Sequence, residues 1–337
     1  MNDFLILGTI RDPHVKWVTS HLEELGVSSI IMDALESTPF SFEFHENGDS
    51  HFVIDEKVIS NEIVIWNRTK LYEGSPFYFE IHDPYASFKA PEWNAAYRLI
   101  NTYYYDRVLN NPISRAFLLK PYQQMVAAKL GFKTPETLIS NRKNDLLNFI
   151  DCNNSVIMKG ISGCRIEKRD EESQAPLNLM TMMVNRADIN KASEKELEIC
   201  PSLMQTNIKK KYELRIVVID REIFAFKIPS QDFEYTSTDW RYGNHSLPFT
   251  LVEIEEELQE KILIFMREMQ LFSGSIDLIK DINNQYWFLE CNQDGQWGWL
   301  DMTVNQKISK AFANAFYKKI ATKVTPSLGH VLSKFVA

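Results

Sequence analysis

Three oxygen-bearing residues late in the chain, Asp277, Glu290 and Asn292, have the types and spacing most suggestive of chemistry. Residues 275–279 and 286–290 are apolar runs on either side of Asn283-Asn284, the pattern of a β-hairpin. With those asparagines as a two-residue turn, Asp277 stands opposite Glu290, and Asn292 projects from the same face. Carboxylates opposed across a sheet repel. Their neighbours Ile276, Leu278, Leu289 and Cys291 bring no cation. A hard divalent ion held by the three side chains would neutralise the pair. Magnesium suits this best, because it takes one or two carboxylates and keeps positions for phosphate oxygens. The plainer alternative is a water-exposed hairpin with scattered acids, which a one-residue slip in register would produce.

The second constellation is cationic: Lys120, Lys159, Lys211, Arg215 and Arg241 lie on different elements, and only a fold can bring them together. Lys159 ends an apolar strand at 156–159, ahead of Gly160-Ile161-Ser162-Gly163. A cation beside small residues is what a nucleotide phosphate requires. Glu213 and Arg215 share one strand face, opposite Leu214 and Ile216; that face either lines a cleft or meets water.

These residues must be positioned by a chain of 337 residues with 45% hydrophobic and 24% charged residues, a length for two or three packed units. A formal charge of -8 argues against bulk nucleic-acid or anionic-membrane binding. No apolar run has the length of a membrane span, and the first ten residues lack a signal-peptide pattern. Cys152, Cys164, Cys200 and Cys291 form no CxxC pair, as expected of thiols in a reducing cytosol, so a cytoplasmic location is expected. The seven histidines make no HxxxH or HxH pair, and neither GxGxxG nor GxxxxGK[ST] occurs. Zinc, Rossmann and P-loop readings are therefore disfavoured.

Residues 4–33 read as a β-α-β unit, with Asp12-Pro13 opening the helix and Gly26 closing it. A hairpin follows over 41–55, then a buried strand at 62–66 and helical pattern at 92–107. After Asn111-Pro112 come a helix over 114–130, a strand at 137–140, a helix at 143–151 and the strand ending at Lys159. The polar, Met-bearing stretch 168–200 is the least regular. Two strands at 213–219 and 222–228 flank Asp220-Arg221. An amphipathic helix carries Leu258, Ile262, Phe265 and Met269, and a last helix carries Ile308, Phe312, Phe316 and Ile320 on one stripe.

Lys120, Lys159, Lys211-Tyr-Glu-Leu-Arg215, Asp239-Trp-Arg241, Asp277 and Phe288-Leu-Glu-Cys-Asn292 occur in the order expected of ATP-grasp ligases. The tail Glu290-Cys-Asn-Gln-Asp-Gly-Gln-Trp297 more specifically resembles the microviridin-type peptide ligases, or graspetide synthetases. The opening Asp12-Pro-His-Val15 and Trp66-Asn-Arg68 are similar to that family's N-terminal domain, so the resemblance spans about residues 3–322.

The resemblance implies a mixed α/β ATP-grasp fold: an N-terminal open α/β (pre-ATP-grasp) domain at 1–112, a central domain at 113–204 and a C-terminal domain at 205–325. It implies ATP and Mg2+ as cofactors. Lys120 and Lys159 would contact the phosphates under the loop from Gly160 to Gly163. Gln205, Thr206 and Ile208 would form the hinge beside adenine, with Lys211 and Glu213 also in the nucleotide-binding set. Asp277, Glu290 and Asn292 would hold magnesium, Arg215 would steady the transferring phosphoryl group, and Arg241, oriented by Asp239, would receive the substrate carboxylate or its acyl phosphate. The implied partner is a ribosomally made precursor peptide with an acidic core and a leader that docks on the central domain; the long stretch 168–200, which mixes Met with charge, is expected to take part. Its Asp or Glu side chains become acyl phosphates and close ester or amide rings with Ser, Thr or Lys. A homodimer is implied as well. Cys291 stands where an aliphatic residue is commoner, and Asn67 departs from the family pattern, leaving any role for Arg68 open. The rival readings are an ATP-grasp ligase for a small-molecule carboxylate and a catalytically silent nucleotide-binding module.

Overall fold

The computed structural model describes residues 3–72, 75–79, 83–110, 112, 114, 119–161, 165–166, 177–178, 181–243 and 247–322. It divides into two compact units, residues 1–113 with 305–337, and residues 114–304. Among the described residues no helix is long and apolar enough to cross a membrane.

The first unit is built on a parallel sheet of β1 (Asp3–Leu7), β2 (Ser28–Met32), β6 (Val64–Asn67) and β7 (Val108–Leu109), in the order β2-β1-β6-β7. Phe4 to Leu7 are fully buried, as a strand covered on both faces must be. Helix α1 (Pro13–Glu24) begins as expected, with the Asp12 carboxylate accepting from the His14 N–H and Pro13 in the first turn. Gly26 ends the turn that follows at φ +75°, where a Cβ would be strained. The hairpin β3 (Phe40–Phe44) and β4 (Ser50–Ile54) joins β5 (Lys57–Val58) in a separate three-stranded sheet, and α2 spans Ala86–Tyr103.

Arg68 acquires a structural role here. Its Nε donates to Asp12 Oδ2 at 3.1 Å, and His14 Nδ1 lies 2.5 Å from Asp12 Oδ1, all three residues being buried. The end of β6 is thereby tied to the helix cap. Burial lowers the His14 pKa to about 4 against the pull of Asp12; burial would raise Asp12, but His14 and Arg68 hold it well below the usual carboxylate range.

The last helix, α9 (Lys307–Ala321), falls inside the 205–325 section of the sequence but belongs to this first unit. Its stripe supplies the partners: Phe316 stacks on Phe4 with centroids 4.8 Å apart, and Phe312 on Trp66 at 5.9 Å. Periodicity showed that this helix has an apolar face, not which unit it covers.

Among its described residues the second unit contains three antiparallel sheets, of four, five and two strands. The four-stranded sheet has the order β12 (Met182–Val184), β9 (Val156–Lys159), β13 (Ser202–Thr206), β8 (Thr137–Ser140). Helix α4 (Lys143–Cys152) and α5 (Arg186–Lys191) cover one face through Leu146 and Ile189, against Val156 and Met204. The antiparallel pair β10 (Arg165–Ile166) and β11 (Leu177–Asn178) and the helix α6 (Glu194–Glu198) complete this section among the described residues. The five-stranded sheet runs β16 (Thr250–Val252), β15 (Glu222–Ile228), β14 (Lys210–Ile219), β17 (Ser273–Asp281), β18 (Tyr286–Asn292). Its apolar face, with Leu214, Ile216, Ile276, Leu278 and Phe288, packs on α3 (Lys120–Lys129) and on α7 (Glu256–Glu268), which contributes Leu258, Ile262 and Phe265. Helix α8 (Gly298–Thr303) follows the sheet. The alternation in β14 thus resolves the choice left open by sequence: Glu213 and Arg215 lie on the opposite, cleft-facing side and are both buried.

Candidate active site

The four- and five-stranded sheets of the second unit line one cleft. Lys120 and Lys159 reach it from α3 and β9, and Asp277 and Glu290 from β17 and β18. Gln205, Thr206 and Ile208 come from the end of β13 and the linker to β14, Glu213 from β14, and Asp239 and Arg241 from the segment after β15.

Asp277 does face Glu290, by a route different from the expected one. The turn between β17 and β18 is three residues, 282–284, not two. Asp281 N–H donates to the Gln285 carbonyl at 3.0 Å, Asn284 takes φ 61°, and the Asp281 carboxylate accepts from the N–H groups of Asn283 and Gln285. The longer turn would have displaced Glu290 by one position. A β-bulge leaves Leu289 without a cross-strand partner and restores the pairing from Glu290 onward.

The carboxylates are also not without cations, as their sequence neighbours suggested. Arg215 lies opposite Asp277 on β14, and its Nη1 donates to both carboxylate oxygens at 2.9 and 2.8 Å. Lys120 Nζ lies 2.9 Å from Glu290 Oε2. Burial raises Asp277 above its ordinary pKa despite Arg215. Burial would raise Glu290 too, but Lys120, and beyond it Lys159 and Arg241, hold it low. Burial brings Lys159 down to about 8, with Glu290 pulling the other way and Lys120 and Arg241 adding to the fall. Arg241 is gripped by Asp239, Nε to Oδ1 at 2.8 Å and Nη2 to Oδ2 at 2.5 Å, which raises its pKa and fixes the guanidinium plane.

Several expected residues sit elsewhere. Lys211 is exposed and donates to Asn284 Oδ1 at 2.9 Å, outside the cleft lining. A bulge in β14 between Lys210 and Tyr212 turns Lys210 inward instead, where its Nζ meets Glu213 Oε1 at 3.0 Å and the Thr238 carbonyl at 2.7 Å. No periodic pattern signals a bulge, so alternation in sequence put Lys211, and not Lys210, on the cleft side. Asn292 pairs with Ser275, is exposed, and its Oδ1 accepts from the Asp294 N–H at 3.1 Å. Gly160 directly follows Lys159 at the strand end without lining the cleft, and Gly163 lies outside the described residues.

Sequence reasoning missed three supports. Gln123 donates from Nε2 to the Cys291 carbonyl at 3.0 Å and accepts from the Cys291 N–H at 2.6 Å. Gln124 donates to the Leu289 carbonyl at 2.9 Å. One turn of α3 therefore holds three consecutive residues of β18 through Lys120, Gln123 and Gln124. The available signal was Gln123 one helical turn before Ala127, a polar residue on a buried stripe. Gly295 is the third: a Cβ there would lie 2.4 Å from Ser275 Oγ and 2.9 Å from Arg215 Nη2.

The facing Asp277 and Glu290 carboxylates fit magnesium in kind; Asn292 shares Glu290's strand face but is exposed and does not line the cleft. Among the described residues there is no group of three or more His, Cys, Asp or Glu that could hold a metal. An ion bound here would therefore complete its coordination largely with phosphate oxygens and water.

A cleft between two antiparallel sheets, cationic at one end and carrying a facing carboxylate pair, defines an ATP-dependent ligase of the ATP-grasp class. The chain belongs to the family described as the RimK-like ATP-grasp domain, whose model matches residues 120–316. Sequence comparison with curated proteins finds no match. Among solved structures it is similar to a RiPP-associated ATP-grasp ligase of Chryseobacterium gregarium, in complex with ADP and a leader and core peptide. The TM-score is 0.80 and the identity 26%, covering 95% of this chain and 97% of that one. It is also similar to the macrocyclase MdnC from Microcystis aeruginosa MRC, bound with precursor peptide MdnA (TM-score 0.75, 21% identity, 94% and 99% covered). A third is the ATP-grasp ligase PsnB, complexed with minimal precursor, Mg and ADP (0.72, 18%, 95% and 98%).

Proposed function

We propose that this ligase is a peptide macrocyclase: it uses ATP to activate Asp or Glu side chains of a precursor peptide and closes ester or amide rings with Ser, Thr or Lys of the same peptide. The observation that carries the proposal is the similarity, across 95% of the chain, to a ligase solved with a leader and core peptide. The cleft chemistry agrees. Condensing a carboxylate with a hydroxyl or amine in water is uphill, so the carboxylate must first accept a phosphoryl group. Lys120 and Lys159 are the cations for the nucleotide phosphates. Arg241, held rigid by Asp239, is the fork for the peptide carboxylate. Arg215 orients Asp277 and would balance charge on the phosphoryl group in transit. Asp277, Glu290 and Asn292 would hold Mg2+, which supplies charge neutralisation when bound. No protein nucleophile is required, and burial raises the Cys291 thiol far above its ordinary value, which keeps it inert. Positioning and electrostatics are the enzyme's contribution. Leader docking on the central section and assembly as a homodimer in the cytoplasm belong to the same proposal.

Intact-mass spectrometry of an Asp/Glu- and Ser/Thr/Lys-rich peptide incubated with the protein, ATP and magnesium tests it. Each ring formed should remove about 18 Da, only when ATP is present, as dehydrative capture of an activated carboxylate demands. ATP consumption driven by small carboxylates, with peptide mass unchanged, would assign the small-molecule reading instead. Nucleotide binding without any turnover would assign the silent module.

A further inference from the structure

We propose that Gln124 and Thr137 are positioning residues that lock the Gln205 amide with its oxygen as the unshared acceptor, so that the nucleotide slot selects a base carrying an exocyclic amine. The inference rests on the reading of the cleft as the nucleotide site. The cleft has a cationic end at Lys120, Lys159 and Arg241, which suits phosphates. Ile157 lies on the same face of β9 as Lys159, two residues away, and pairs directly with Gln205 on β13. A base laid over Ile157 while its phosphates reach Lys159 therefore meets Gln205.

The polarity of that amide follows from a chain of hydrogen bonds anchored on a group that can only accept. The Leu289 carbonyl accepts from Gln124 Nε2 at 2.9 Å, so Gln124 Oε1 must itself be an acceptor. Gln205 Nε2 donates to that oxygen at 2.8 Å and to Thr137 Oγ1 at 2.7 Å. The Thr137 hydroxyl lies 2.9 Å from the Pro135 carbonyl, to which it donates, and 3.3 Å from Gln124 Oε1, so it meets Gln205 as an acceptor. Turning the Gln205 amide over would set its oxygen against two acceptors. Gln205 is fully buried, and its Oε1 has no partner among the described residues. A buried acceptor in that state is costly unless a ligand supplies a donor. The 6-amino group of adenine is such a donor; the 6-oxo group of hypoxanthine would repel it.

Calorimetric binding of ATP and of inosine triphosphate to the full chain tests this. One lost hydrogen bond predicts that the wild type prefers ATP by about tenfold or more. The double variant Gln124→Leu/Thr137→Val frees the amide to rotate, and the preference should fall toward parity. Each single substitution leaves one lock and should reduce it by less, and either one suffices as a test if the double variant does not fold. Restored preference on adding Gln205→Glu, whose carboxylate accepts at both oxygens, would separate the role from general damage. An unchanged ATP-to-inosine ratio in folded variants overturns the inference while leaving the nucleotide site intact. Absence of nucleotide binding by the wild type overturns the nucleotide reading itself, and the inference with it.

Discussion

Lys159 offers the sharpest test of the cleft electrostatics. Burial brings its ammonium from the ordinary lysine value of 10.5 to about 8. A phosphate seated against it would favour the charged form and raise that value again. Nucleotide binding above pH 8 must therefore take up a proton, and affinity must fall. At pH 9 only about a tenth of the free protein carries the charge, so the Kd for ATP should weaken by about tenfold between pH 7.5 and 9. The stability of the nucleotide-free protein should move in the opposite sense. A lysine with a depressed folded value binds its proton more weakly folded than unfolded, so its contribution to stability grows as pH rises from about 8 toward 10.5. Equilibrium binding at pH 7.5, 8, 8.5 and 9, with thermal melts of the same samples, measures both trends. Lys159→Arg is the control, since its guanidinium stays charged throughout and should flatten the binding curve. Identical pH dependence in the wild type and Lys159→Arg would refute the assignment, as would constant affinity up to pH 9.

Removing Arg215 should break a buried pair and leave Asp277 uncompensated. Arg215→Ala is expected to abolish product and to lower unfolding free energy by about 3 kcal/mol in urea titrations, whereas Asp277→Asn should abolish product and retain a hydrogen bond to Arg215. Gln123→Leu strands both the Cys291 N–H and its carbonyl. A loss of about 2 kcal/mol or more is expected by urea unfolding, together with a raised magnesium requirement for turnover. Gly295→Ala forces a Cβ against Ser275 and Arg215; product formation should drop at least about tenfold, and restoration by Ser275→Gly would confirm the steric cause.

The site was more legible than the path by which the chain builds it. Lys120, Lys159, Glu213, Asp239, Arg241, Asp277 and Glu290 all reach one cleft, because residue type and order carry chemical demand directly. What escaped was set by backbone irregularity. The β18 register came out right because a three-residue turn and a one-residue bulge cancel. The same kind of irregularity in β14, uncancelled, exchanged Lys211 for Lys210. A bulge is stabilised by whatever satisfies the backbone it leaves unpaired, and at Leu289 that is a glutamine 165 positions away in sequence. Alternation along a strand holds no trace of such a partner. The cancellation also has a mechanistic consequence. If Gln123 and Gln124 hold the bulge in place, α3 governs the separation of Asp277 and Glu290 as directly as the strands do. Under the proposed function, Lys120 on the same helix turn would then couple phosphate contact to the geometry of the carboxylate pair. The helix is accordingly a working part of the site, although its sequence presents only an amphipathic segment.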